Sequence, residues 1–288
     1  MYKYSLDKSS KKFVCPNCSK RSFVRFIDNE TNNYITEIYG RCDRETECKY
    51  FAQPTNEKIH FSYIIAPKVI LTSFIDTRIM SQTETDYKHN NFVKFLFNYF
   101  DAKQVGKTLE AYHIGTSKHW EGANIFWQID SKNRVRTGKI MLYNKVSGKR
   151  IKEPYNHVNW AHSVMKLKDY NLKQCLFGLH RINIDLSKPI AIVESEKTAI
   201  IMSIEAPDFL WLATGSKANL KEELLKPLRF RKIILHPDYG EFEDWQKVVN
   251  QLKVKGYKIA ISSLLEKMEL SQGFDLADLC LNEKMELK

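Results

Sequence analysis

IAIVESEKTAIIM, Ile190–Met202, sets three charged side chains, Glu194, Glu196 and Lys197, inside the most apolar run of the chain. Ile190–Val193 reads as a short buried strand and Thr198–Ile204 as a helix, which places the charges at a strand-to-helix junction. Side chains at the carboxyl end of a parallel strand point into the crevice where α/β sheets bind ligands. A core-forming segment that breaks off in acids at this point predicts a site, with the hydrophobic part fixing its position.

Two further strand ends follow. DFLWLATGSKANL runs from an apolar strand into Gly215, and RKIILHPDYGEFEDWQKVVNQLK runs from a strand over Lys232–His236 into Asp238 and then a helix. After that helix, GYKIAISSL supplies a fourth strand. Repeated strand–helix alternation predicts a parallel sheet flanked by helices, with Glu194 and Asp238 converging at one edge. Adjacent carboxylates repel, so convergence calls for a cation, and hard oxygen ligands with an open face suit Mg²⁺ or Mn²⁺. Lys197 is placed to touch a phosphate or to pair with a carboxylate. The alternative is a helix N-terminus that favours acids in its first turn.

Working toward the amino terminus, the pattern changes to short strands, ANIFWQID, RTGKIMLYN and KVSGKRIKE, with turns at Asp130–Asn133 and Ser147–Gly148. The chain has 288 residues and a formal net charge of +11, and residues 103–181 carry nearly all of the surplus, with 15 basic and 5 acidic side chains. Lys132, Arg134, Arg136, Lys139, Lys145, Lys149, Arg150 and Lys152 lie on these strands, interleaved with Phe126, Trp127, Tyr143, Tyr155 and Trp160. Cations can track a phosphate backbone while exposed rings stack bases, which makes the segment a candidate nucleic-acid groove. Rings facing a core under a solvated basic face is the competing reading. Before these strands, His60 to Gln104 has a helical pattern, in which Phe92, Phe95, Leu96 and Tyr99 of NNFVKFLFNYFD share one face.

Four of the six cysteines fall in the first 50 residues, as CPNC (Cys15, Cys18) and CDRETEC (Cys42, Cys48). Between the pairs, RSFVRFIDNETNNYITEIYGR reads as two strands around the polar Asp28–Asn33 turn. This is the layout of a zinc ribbon, in which four thiolates close a tetrahedral Zn²⁺ site. Its second gap, Cys42 to Cys48, is longer than the usual two residues, and buried or incidental cysteines are the alternative. Cys175 and Cys280, isolated on apolar stretches, read as core thiols. No run of about eighteen apolar residues and no signal-peptide pattern occurs, so a soluble, cytoplasmic protein without a membrane partner is expected.

In the order zinc ribbon, basic strands, then VESEKTA, LATGSKANL, ILHPDYG and GFDLADLCL, the chain resembles bacterial and phage DNA primases of the Toprim class, particularly primase-like proteins of plasmids and mobile elements. CLFGLH, Cys175–His180, lies where those primases carry a similar short motif. The resemblance implies three domains: a zinc ribbon over 1–58, a basic primase-like α+β lobe over 59–181 and a Toprim domain over 182–288. It implies that Glu194 is the central acid, that Asp238 joins it with Lys197 in the catalytic set, and that Mg²⁺ or Mn²⁺ is held there. Gly240 stands where the family has the second aspartate of Asp-x-Asp, and Glu241, one position later, is the candidate substitute ligand. Asp275 and Asp278 match the closing acidic motif. The ribbon departs from the replicative primases, whose ligands commonly include a histidine. Lys139, Lys149 and Arg150, with Arg134, Arg136 and Lys152, would contact phosphates. The implied activity is nucleotidyl transfer that makes short primers on single-stranded DNA from nucleotides, in phage or mobile-element replication. A non-catalytic nucleic-acid-binding module and a Toprim nuclease are the rival readings. No Gly-x4-Gly-Lys-Ser/Thr run occurs, so a helicase or mobilisation partner would be a separate chain.

Overall fold

The computed structural model describes residues 2–44, 46–54 and 71–286 and divides into two compact units, Met1–Leu71 and Thr72–Lys288. The first is a small antiparallel sheet of β1 (Tyr4–Leu6), β2 (Phe13–Val14), β3 (Arg21–Asp28), β4 (Gly40–Cys42) and β5 (Phe51–Ala52). Strand β3 is its centre, pairing with β1, β2 and β4. The polar turn after β3 forms as expected: Asn32 takes a left-handed φ of 57° and Asp28 accepts from the backbone of Glu30 and Thr31. Its core consists of little more than Phe23, Cys15 and Cys42, too few apolar groups to hold a sheet alone.

The second unit opens with α1 (Thr77–Ser81), α2 (Asn91–Phe97) and α3 (Ala102–Tyr112). Asn90 caps α2 through the Val93 N–H, and Asp101 caps α3 through those of Lys103 and Gln104. Phe92, Phe95 and Leu96 are buried, and Tyr99 packs on the same cluster, as the periodicity predicts. The part of the expected helical stretch over 60–70 lies outside the described residues. An antiparallel sheet follows, β6 (Ile114–Thr116), β7 (Asn124–Ile129), β8 (Val135–Met141) and β9 (Val158–Trp160), paired in that order, and then α4 (Ala161–Val164).

The Asp130–Asn133 turn joins β7 to β8 as read. KVSGKRIKE, however, is not a strand. Gly148, at φ +63°, sits in the expected Ser147–Gly148 turn, closed by the Asn144 N–H on the Lys149 carbonyl and the Gly148 N–H on the Asn144 carbonyl; an isolated bridge joins Tyr143 to Arg150, and regular pairing with β8 begins at Val158. Alternation along β7 and β8 splits the sheet: Phe126, Met141 and Tyr143 face one core, and Ile125, Trp127 and Ile140 face another.

The remaining elements are β10 (Ile190–Val193), α5 (Glu196–Glu205), β11 (Leu210–Ala213), α6 (Glu222–Leu225), β12 (Ile233–Leu235), α7 (Phe242–Val254), β13 (Ile259–Ile261) and α8 (Leu276–Glu286). All four strands are parallel, in the order β11-β10-β12-β13. Every residue of β10 is buried, with Ala191 and Val193 against the α5 side and Ile190 and Ile192 against the α7 side. From β10 the chain crosses to β11 and from β12 it crosses the other way, to β13. The crevice between the carboxyl ends of β10 and β12 is therefore a switch point, the place where open α/β sheets receive ligands. One hydrophobic cluster joins Phe126 and Tyr143 of the antiparallel sheet region to Val193 and Trp211 of the parallel one, so the two sheets share a core. Among the described residues no helix is long and apolar enough to cross a membrane.

Candidate functional site

In the first unit, the Sγ atoms of Cys15, Cys18, Cys42 and Cys48 all lie within 4.8 Å of one another. Ligands 2.3 Å from a tetrahedral zinc stand about 3.8 Å apart. Cys15–Cys48 at 3.6 Å and Cys18–Cys42 at 3.9 Å bracket that edge length, so the set fits Zn²⁺. The long second gap is absorbed by a turn in which the Cys48 N–H donates to the Arg44 carbonyl. Burial pushes the Cys15 thiol up to about 12. Burial also opposes ionisation of Cys18, but the Lys20 N–H and the thiols of Cys48, Cys15 and Cys42 outweigh it and bring that thiol down to about 7. Ser22 Oγ, 3.2 Å from Cys42 Sγ, and Asn17 Nδ2, 3.5 Å from Cys48 Sγ, support the sulfurs from outside. Cys175 is buried in an apolar cluster and Cys280 packs half-buried against another, so both are core thiols.

In the second unit a cleft of about 460 Å³ opens at the switch point. Glu194, Asp238, Asp275 and Asp278 line it together with Lys149, Arg150 and Lys152. Ser195 explains the spacing of the first acids: its hydroxyl accepts from the Lys197 N–H and caps α5, so Glu194 ends the strand and Glu196 opens the helix. Glu196 does not point at the cleft as a free acid. Its oxygens take two 3.1 Å hydrogen bonds from Lys139 Nζ, which also donates to the Gly215 carbonyl at 2.7 Å. Lys197 Nζ stands 3.4 Å from Asp278 and 3.9 Å from Asp275. Asp275 is in turn held by the Thr198 hydroxyl at 2.7 Å.

Glu194 and Asp238 are the cleft acids whose carboxyl pKa is raised. Burial raises Glu194 above the ordinary carboxylate range, with Glu241 adding to it. Asp238 is pushed up to about 8, first by burial and then by Asp275, Glu194, Asp278 and Glu241. A hard divalent cation is what such a field would take up. Among the described residues, the cysteines are the one set of three or more metal-ligating side chains drawn within 4.8 Å.

Glu241, the candidate substitute ligand, is drawn away: Lys217 pairs with it and with Asp244. Gly240 sits at φ +85° and donates its N–H to Glu266, and a Cβ there would displace the flexible amide end of Gln272. The backbone at this turn is therefore of the kind that favours glycine. Of the basic residues singled out in the sequence, Lys139, Lys149, Arg150 and Lys152 reach the cleft. Arg134 and Arg136 do not; both bind Asp130 at the hairpin and cover Phe74. The rings Phe126, Trp127 and Tyr143 are core, whereas Tyr155 is exposed. Lys217 and the Lys139–Glu196 pair carried no local sequence signal, since each joins segments far apart in the chain.

This arrangement defines a mixed α/β protein with a four-cysteine zinc ribbon and a second, acid-and-base-lined cleft at a parallel sheet. Residues 90–239 match the family model DUF6371, a domain of unknown function, and the chain belongs to that family. A zinc beta-ribbon finger model matches residues 2–61. Solved structures with a similar course include a DNA primase domain from Pseudomonas aeruginosa, at 14% identity and TM-score 0.39, covering 66% of this chain and 60% of that one. The RNA polymerase domain of Mycobacterium tuberculosis primase DnaG is 13% identical, with TM-score 0.46, over 74% of this chain and 83% of that one. The primase fragment of the bacteriophage T7 primase-helicase is 13% identical, with TM-score 0.43, over 96% and 97%. No curated protein matches the sequence.

Proposed function

We propose that the chain is a primase-like, Toprim-type nucleotidyltransferase of a phage or mobile element that acts on single-stranded DNA. The observation that carries this reading is the cleft, where Glu194 and Asp238, at strand ends of a sheet switch point, line the same cavity as Lys149, Arg150 and Lys152. In this reading the ribbon corresponds to 1–58, the basic lobe to 59–181 and the Toprim part to 182–288. Glu194 and Asp238 would hold Mg²⁺ or Mn²⁺, which when bound neutralises and polarises phosphate oxygens. Lys149, Arg150 and Lys152 draw nucleotide and template phosphates to the same cleft. Lys197, braced by Asp275 and Asp278, presents its ammonium beside them. In this reading a primer 3′-hydroxyl attacks the α-phosphorus of a nucleoside triphosphate, forming the phosphodiester as the bond to the departing pyrophosphate breaks and the hydroxyl proton passes to water. Any unwinding would fall to a separate helicase.

The test is primer synthesis on single-stranded DNA with labelled nucleotides and Mg²⁺ or Mn²⁺, comparing the parent with Glu194→Gln and Asp238→Asn. Loss of product in both variants with strand binding retained supports the reading, and undiminished product from Glu194→Gln overturns it. Gly240 favours a second reading, a nucleic-acid-binding module without catalysis. A parent that binds single strands, takes up no divalent cation at the cleft and makes no product would establish it. Nicking of plasmid without added nucleotides would identify a nuclease.

A further inference from the structure

The antiparallel sheet carries a surface feature that the cleft does not use. Tyr155, on the loop before β9, is 55% exposed. The loop is pinned at both ends, by the His157 N–H on the Ile151 carbonyl and by the Leu142 N–H on the His157 carbonyl. One face of the Tyr155 ring is backed by the His157 imidazole, with centroids 4.4 Å apart and planes 25° from parallel. His157 is itself buried and held by the Ile151 carbonyl at 3.2 Å. Trp120 meets it at 5.1 Å in a T-shaped pair, and His119 packs on Trp120 at 4.3 Å. The series of rings therefore ends on a Tyr155 face that is fixed in orientation and open to solvent.

Its setting is cationic. Lys152, three residues earlier on the same loop, lines the cleft together with Lys149 and Arg150. A fixed, open aromatic face continuing a row of cations is what a single strand requires, with phosphates on the cations and an unpaired base on the ring. Duplex DNA keeps its bases stacked internally and offers the ring no π-face. A protein-docking patch would need a contiguous apolar area, whereas the loop beside Tyr155 carries Lys152, Glu153 and Asn156, all exposed.

We propose that single-stranded nucleic acid leaving the cleft passes over the β9 edge and stacks one base on Tyr155. This rests on the cleft binding single strands, as proposed above. The test is fluorescence anisotropy of a labelled oligothymidylate of about 20 nucleotides, long enough to span cleft and loop, and of a duplex of the same length. Parent, Tyr155→Phe and Tyr155→Leu would be compared, with a 5-iodouracil oligonucleotide crosslinked to the parent and mapped by mass spectrometry. Tyr155→Leu is expected to weaken single-strand binding about tenfold. Tyr155→Phe should stay within about twofold of the parent, duplex binding should not change, and the crosslink should map to Tyr155. Parent-like single-strand binding by Tyr155→Leu, or equal loss of single-strand and duplex binding, overturns the inference while leaving the cleft reading intact. A parent that binds no single strand overturns both.

Discussion

Lys139 and Glu196, 57 residues apart in the chain, form a buried ion pair that joins the antiparallel sheet to the first turn of α5. The Glu196 side chain is 2% exposed, so without Lys139 its charge would be left buried and unpaired. Lys139→Met should therefore destabilise the second unit by about 3–5 kcal/mol, the cost of an orphaned buried charge. The double variant Lys139→Met/Glu196→Met should recover most of that loss. Urea denaturation of the four proteins of the cycle measures both.

Zinc should be required for the first unit, whose apolar core is too small to hold the sheet. Cys42→Ser is expected to lower bound zinc from about one ion per chain toward none. The second unit should keep its thermal transition. Metal analysis combined with proteolysis of the amino-terminal segment checks this, and resistance of the variant to protease would contradict it.

Acid sensitivity should carry a contribution from His180. Burial holds its imidazole down to about 4, while the neutral ring donates Nε2–H to the Ala111 carbonyl at 3.1 Å. The unfolded chain takes up that proton near pH 6.5, so the stability linked to a neutral His180 is complete above about 6.5 and is lost as pH falls toward 4. His180→Gln should flatten the stability profile across that interval relative to the parent, whatever its stability at neutral pH. Denaturation midpoints at half-unit pH steps provide the comparison.

At the turn after β12, Gly240→Ala should cost about 1–2 kcal/mol, because a Cβ disfavours φ +85°. Gly240→Asp should not raise cation affinity or activity, since the residue faces Gln272 and Glu266. Isothermal titration with Mn²⁺, together with a thermal melt, tests both statements.

Much of the architecture could be read from the sequence because it is local. Ile190–Val193, Leu210–Ala213, Ile233–Leu235 and Ile259–Ile261 are apolar runs ended by polar residues, and their parallel pairing follows from the helices between them. The cysteine pairs were equally plain, since CPNC and its partner pair flank a strand–turn–strand pattern. In KVSGKRIKE the Ser147–Gly148 turn forms where its glycine predicts it, but the flanking residues make only an isolated bridge instead of the strands their alternation suggests. At the cleft, the acids at strand ends announced themselves. What each charge does depended on partners brought from elsewhere: the sequence pattern shows Arg134, Arg136 and Lys139 as cations on strands, whereas Asp130, which binds both arginines, and Glu196, which binds the lysine, come from other positions of the chain.

The loop bearing Asp238 is seated by later chain rather than by its own strand. The Tyr239 N–H donates to the Phe274 carbonyl, the Gly273 N–H to the Tyr239 carbonyl and the Gly240 N–H to Glu266. In terms of inheritance, residues 233–242 and 264–278 form one transferable part. A graft of the aspartate loop into another scaffold without the later segment would import an acid that lacks these three hydrogen bonds.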